Sequence, residues 1–190
     1  MTSAITRHGL RRDQVATLQL AQAAYREGAR SVCVQAPTGF GKTHLTAHGV
    51  IAPTVARGRR VLFVADLEEI LDDTAERLRA LDTIGSGRVG VIKAGRALDP
   101  TAPVQVASLQ TLARRLDALP PADRVILDEC HIAAARTVRD VLGHYRDALV
   151  MGLTATPARG DGQPLDEFER LVCGPSMREL IAIGALVPPR

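Results

Sequence analysis

The 190 residues include no tryptophan, two tyrosines and three phenylalanines, so aromatic platforms on which bases could stack are scarce. Cysteine is equally sparse. Cys33, Cys130 and Cys173 are odd in number and far apart in sequence, which fits reduced thiols packed as small hydrophobes better than a disulfide framework. No apolar run approaches the ~20 residues that a membrane span needs, and Met1–Gly9 lacks the apolar segment of a signal peptide. A soluble, cytoplasmic protein with no membrane partner is therefore expected. There is no internal repeat and no long low-complexity tract. With 46% hydrophobic residues the chain can bury a sizeable core as one domain spanning residues 1–190.

Net charge is only +3, but it is unevenly spread. Met1–Phe63 carries nine Arg or Lys against Asp13 and Glu27, and the remainder is net acidic. Such asymmetry suits a face that meets nucleic acid, and equally a solvated arginine-rich surface. Arg57, Arg59 and Arg60 follow a predicted helix and would complement its negative end with no ligand at all.

Helices and short apolar strands alternate along the chain. Asp13 is placed to cap a helix ending at Glu27, with Gly28 as its stop, ahead of a strand at Ser31–Gln35. A helix over Lys42–Ala56 comes next, followed by Val61–Ala65, a continuous apolar run of the kind found in parallel strands covered on both faces. Asp66 caps a further helix in an Asp-x-x-Glu arrangement with Glu69. More strands are expected at Val89–Ile92, Val104–Ala107, Val125–Asp128 and Ala148–Leu153, with helices beginning near Ser108, Ala133 and Pro175. This rhythm implies an α/β fold, a three-layer domain with a mostly parallel central sheet and right-handed crossovers.

Ligands of open parallel sheets bind beyond the carboxyl ends of the strands. Four polar segments fall at such ends: Thr38–Thr43, Ser108–Thr111, Asp128–His131 and Thr154–Thr156. In the first, Ala36-Pro37-Thr38-Gly39-Phe40-Gly41-Lys42-Thr43 follows the strand directly and has the makings of a P-loop. Gly39 and Gly41 allow positive φ, so backbone N–H groups can converge on phosphate oxygens. Lys42 supplies a cation for the terminal phosphates, and Thr43 offers a hydroxyl to Mg²⁺ at a helix N-terminus. Ala36 stands where the general pattern has its first Gly. The chain is accordingly expected to bind ATP with Mg²⁺. In the third segment, Asp128 is suited to hold Mg²⁺ and Glu129 to orient or deprotonate a water in line with the γ-phosphate. In the fourth, the hydroxyls of Thr154 and Thr156 could bond Asp128 or His131 and report the phosphate state to a neighbouring domain. Zinc at Cys130 and His131 is disfavoured, because adjacent residues rarely ligate one metal.

The set APTGFGKT, DECH and GLTATP, in this order, resembles the first RecA-like lobe of superfamily 2 DEAD/DEAH-type helicases and translocases, over nearly the whole chain. The resemblance implies a RecA-like P-loop NTPase domain in which Lys42, Glu129 and His131 are catalytic, His131 coupling the nucleotide site to a second lobe. Thr38, Gly39, Phe40, Gly41, Lys42 and Thr43 would hold the nucleotide. Leu10-Arg11-Arg12-Asp13-Gln14 is similar to the upstream adenine-reading motif, with Gln14 as its glutamine and Arg12-Asp13 in place of a Pro and an aromatic. Val104–Leu112 is similar to the motif that holds the nucleic-acid backbone, which assigns Ser108, Gln110 and Thr111 to that role. Asp66 and Leu67 occupy a turn where the family places an Arg, so no phosphate contact is expected there. Arg159-Gly160-Asp161-Gly162 and Leu171–Ser176 resemble the repair and restriction branch, which favours DNA over RNA.

The second RecA-like lobe, which normally brings the arginine finger, is absent from these 190 residues. A fragment, or a subunit completed by another chain, is the expectation. Two other classes fit parts of the pattern: a nucleotide-responsive scaffold that gates a partner without turnover, and another P-loop enzyme such as a small-molecule kinase or GTPase. The sequence has no Asn-Lys-x-Asp guanine reader, and the Asp128-Glu129 pair suits water activation better than transfer to an acceptor.

Overall fold

Runs such as Val61–Ala65 (β2) and Val104–Ser108 (β4) are buried at every position, which requires cover on both faces of the sheet they form. The computed structural model describes residues 9–65, 69–82, 84–93, 99–132, 134–156 and 165–187. Asp66 and Leu67, Ala133, the Arg159–Gly162 motif and the two chain ends lie outside the described residues.

The remaining strands are β1 (Ser31–Gln35), β3 (Val89–Ile92), β5 (Arg124–Leu127), β6 (Leu149–Thr154) and β7 (Arg170–Cys173). All seven are parallel, in the order β3-β4-β2-β5-β6-β1-β7. The helices are α1 (Arg12–Arg26), α2 (Lys42–Thr46), α3 (Ala52–Ala56), α4 (Glu69–Arg79), α5 (Leu109–Ala113), α6 (Ala135–Leu142) and α7 (Met177–Ala182). One apolar cluster joins α1, α3 and α4 to one sheet face through Ala21, Val55 and Leu71. Another joins α5 and α6 to the opposite face through Leu112, Val138 and Val141. These are the three layers.

The expected helix over Lys42–Ala56 is interrupted. Between α2 and α3, Ala47–Ile51 forms a π-helical turn, in which the Ala52 N–H reaches back to the Ala47 carbonyl. Pro53 gives the physical reason. It has no N–H to offer one turn back and its ring crowds that carbonyl, so the ladder shifts register just before it.

Asp13 does not cap α1. Arg11 holds the N-cap position and its backbone N–H donates to Gln14 Oε1 at 3.0 Å, while Asp13 accepts two bonds from the Arg11 guanidinium. Helix α7 starts two residues later than Pro175, where Ser176 and Glu179 cap it reciprocally. Strand β7 has no counterpart among the predicted strands. It is an edge strand whose only buried residue is Val172, so it carries no apolar run to read. Cys33 and Cys130 are buried, but Cys173 is exposed, contrary to the expectation of three packed thiols. No described helix is long and apolar enough to cross a membrane.

Candidate functional site

The chain leaves β1 with the Ala36 N–H donated to the Thr154 carbonyl at 2.9 Å, so the first and fourth polar segments start out side by side. Gly39 (φ 83°) and Gly41 (φ 86°) are both left-handed, and a Cβ at either would also require a neighbouring side chain to move. At Gly39 it would stand 2.7 Å from Leu186 Cδ2, and at Gly41 2.8 Å from Gln14 Nε2. Between them the Phe40 ring is wholly buried against Ala36, Leu45 and Leu180, and this anchors the loop. The amides of Gly39, Gly41, Lys42 and Thr43 have no backbone acceptor among the described residues. An anion is the natural partner for such a run of free N–H groups at a helix start.

Gln14 is 1% exposed, and its amide donates to the Phe40 carbonyl at 3.0 Å. Arg11 donates to the same carbonyl at 2.9 Å, and its guanidinium lies 5.6 Å from the Phe40 ring centre. Arg11 was not among the predicted site residues. The arginine directly before Arg12 in the adenine-reading motif was the only signal for it, and nothing in the spacing gave it a role. Thr38 lies at the turn just before Gly39, and Thr43 is half-buried in the first turn of α2.

Lys42 is buried, and its ammonium donates to the Ala36 carbonyl at 3.2 Å. It also reaches Glu129 Oε1 at 3.5 Å, joining the loop to the turn after β5. Glu129 is itself left-handed (φ 45°), an uncommon state for a residue with a side chain, and its N–H donates to Asp128 Oδ1 at 3.1 Å. Burial pushes the Asp128 carboxyl above its usual range, and the charge on Glu129 pushes it further, against weaker opposition from that N–H and from Lys42. A buried carboxylate held in this way gains from a cation beside it.

The other Glu129 oxygen lies 3.4 Å from His131 Nδ1, and the same nitrogen lies 2.9 Å from Thr154 Oγ1. The single Thr154 proton goes to the Thr156 carbonyl at 2.5 Å, while the Thr156 N–H donates to Thr154 Oγ1. With that proton donated to the Thr156 carbonyl, the network favours an Nδ1–H on His131 that donates to Thr154. Of the two partners expected for the threonine hydroxyls, Thr154 takes His131. A continuous path Lys42–Glu129–His131–Thr154–Thr156 thus crosses the ends of β1, β5 and β6.

Ser108, Gln110 and Thr111 lie apart from this path. Their strand is four positions from β1, roughly 19 Å along the sheet at the usual strand spacing. Ser108 and Thr111 are buried and bond each other, Oγ to Oγ1 at 2.8 Å and the Thr111 N–H to Ser108 Oγ at 3.1 Å, as the cap of α5. Gln110 is exposed.

The family described as "Type III restriction enzyme, res subunit" matches residues 7–159. The Type I restriction enzyme EcoAI endonuclease subunit of Escherichia coli is 28% identical over 179 residues, covering 87% of the chain and 22% of that subunit. The chain therefore spans well under half the length of this curated relative. The UvsW helicase from bacteriophage T4 superposes with a TM-score of 0.70 at 16% identity, over 91% of this chain and 63% of that one. A nuclease-deletion mutant of the Type ISP restriction-modification enzyme LlaGI, solved with a DNA substrate mimic, superposes with a TM-score of 0.66 at 14% identity, over 93% of this chain and 20% of that one.

Proposed function

The chain belongs to the type III restriction enzyme res subunit family as the N-terminal RecA-like lobe of a superfamily 2 helicase-type motor, and from that premise we propose that it binds Mg-ATP, hydrolyses it, and drives movement along DNA. The path from Lys42 through Glu129 and His131 to Thr154 carries this reading, because it ties the loop that would hold the nucleotide to two other strand ends. The amides of Gly39, Gly41, Lys42 and Thr43 receive the phosphates, Lys42 neutralises their charge, and Gln14 braces the loop from behind through the Phe40 carbonyl. Asp128 and the Thr43 hydroxyl are hard oxygen donors of the kind Mg²⁺ takes. Bound there, the cation would supply charge neutralisation as the γ-phosphate departs.

Glu129 is the base. It lies 3.5 Å from the Lys42 ammonium, and movement of Lys42 toward phosphate frees the carboxylate to orient a water. His131 and Thr154 relay that change toward a second RecA-like lobe, supplied by the longer protein or by a partner. Ser108, Gln110 and Thr111 form the DNA-backbone contact, with Gln110 already exposed and the two hydroxyls released from their cap on binding. DNA is the substrate favoured by the restriction-type relatives and by the DNA substrate mimic held by LlaGI.

The test is steady-state ATP hydrolysis by the chain with and without single- and double-stranded DNA, with Glu129→Gln as the blank, alongside Mg-ATP binding by Lys42→Ala. Binding that vanishes in Lys42→Ala, with turnover abolished by Glu129→Gln, is the expected result. Full binding by Lys42→Ala would refute the assignment of the loop.

A further inference from the structure

On one face of the sheet a groove of about 900 Å³ separates α1 from the π-helical turn and α3. Its floor is apolar where Val15, Leu18, Val50 and Met151 line it. At the end formed by the start of β5 and the exit of α3 it is lined by Arg26, Arg57, Arg59 and Arg124, and no Asp or Glu lines it anywhere. None of the residues in the path from Lys42 to Thr156 lines this groove; of the motif similar to the adenine-reading one, Leu10 does.

The arginines are not satisfied internally. Among the described residues none of the four makes an ion pair. Arg57 spends one N–H on the Pro53 carbonyl, and the Arg124 guanidinium lies 5.7 Å from the Tyr25 ring centre. Burial lowers the pKa of Arg124, Tyr25 opposes this, and the like charges of Arg59 and Arg57 add to the lowering, so these cations sit close enough to repel one another. A solvated surface would spread its arginines apart. A phosphate backbone would satisfy the cations but leave the apolar floor wet. A segment carrying apolar residues at helical spacing and carboxylates at one end satisfies both, and the length of α1 beside it, about 22 Å, accommodates roughly four turns.

We propose that this groove docks an amphipathic, acid-ended helical segment of a partner polypeptide, its apolar face on Val15 and Leu18 and its carboxylates on Arg57, Arg59 and Arg124. The proposal stands independently of the nucleotide site.

The probe is a labelled amphipathic peptide with leucines at helical spacing and glutamates in its last turn, titrated against the chain by fluorescence anisotropy. Saturable binding is expected, weakened about tenfold or more by Arg57→Glu with Arg59→Glu, and recovered when the peptide glutamates are changed to lysine against that variant. Serines in place of the leucines should also weaken it. Gln19→Glu with Gln22→Glu brings negative charge to the same groove without altering an arginine, and should weaken the unmodified peptide as well. Mg-ATP binding and thermal melting, unchanged in both double variants, show that the fold is intact. Absence of saturable binding, or equal binding of a scrambled peptide, overturns the proposal. So does duplex DNA that displaces the peptide and itself loses affinity in Arg57→Glu with Arg59→Glu, since the groove would then be a phosphate site.

Discussion

At the scale of single residues, the site holds groups in states the unliganded fold does not favour, and this gives sharp expectations. Asp128 takes up a proton more readily in the fold than in the unfolded chain, so its contribution favours folding below the ordinary value of 3.8 and is lost as pH rises through the raised one. Asp128→Asn should then raise the melting temperature of the nucleotide-free chain at neutral pH, by ~2–4 °C for each kcal/mol relieved in a chain of this size. The gain should shrink as the pH is lowered toward 4 in a calorimetric series, and Mg²⁺-dependent ATP binding should be lost at every pH. Gly41→Ala must adopt φ 86° and meet the Gln14 amide, so a loss of about 1–2 kcal/mol is expected in urea unfolding, together with weaker nucleotide binding. The positive φ of Gly39 and Gly41 and the meeting of Thr154 with His131 were legible in advance. Gly39, Gly41, Lys42, Thr43, Asp128 and Glu129 occupy a pattern whose chemistry can be named from residue type and spacing. Arg11 was not legible, because its bond to the Phe40 carbonyl spans 29 positions that only the folded chain brings together. The approach of Cys33 and Cys130, sulfurs 3.8 Å apart and buried, was hidden for the same reason.

At the scale of elements, the strands covered on both faces were the readable ones. Val61–Ala65 and Val89–Ile92 have the bounds their apolar runs predict. Elements governed by local chemistry rather than by burial were misjudged: the π-helical turn answers to Pro53, and β7 pairs through its backbone along β1 while showing mostly polar or exposed side chains. Helix α7 matters beyond its six residues, because Leu180 is fully buried against the Thr38–Thr43 loop through Phe40. Leu180→Ala should cost about 2–5 kcal/mol in denaturant titration. It should also reduce Mg-ATP affinity, although the residue touches no part of the expected nucleotide, because the Phe40 anchor loosens. Unchanged affinity at lowered stability would show that the loop keeps its shape without α7.

At the scale of the whole molecule, the all-parallel sheet gathers three separated stretches of sequence at one edge, while the arginine-lined groove opens between α1 and α3. The proposed function has this lobe work against a second one. Alone, the chain should turn ATP over slowly, and a gel-based strand-displacement assay should show no unwinding of a duplex, whereas joining it to a second lobe should raise turnover by orders of magnitude where that lobe brings an arginine finger. Strand β1 lies between β6 and β7, with Val34 opposite both Leu153 and Val172, so the first strand among the described residues is flanked by the last two. Translation therefore delivers the Thr38–Thr43 loop well before β6 and β7, the strands that flank β1. High contact order makes such assembly slow, and nascent chains carrying the complete loop should hold no nucleotide until β7 has emerged from the exit tunnel.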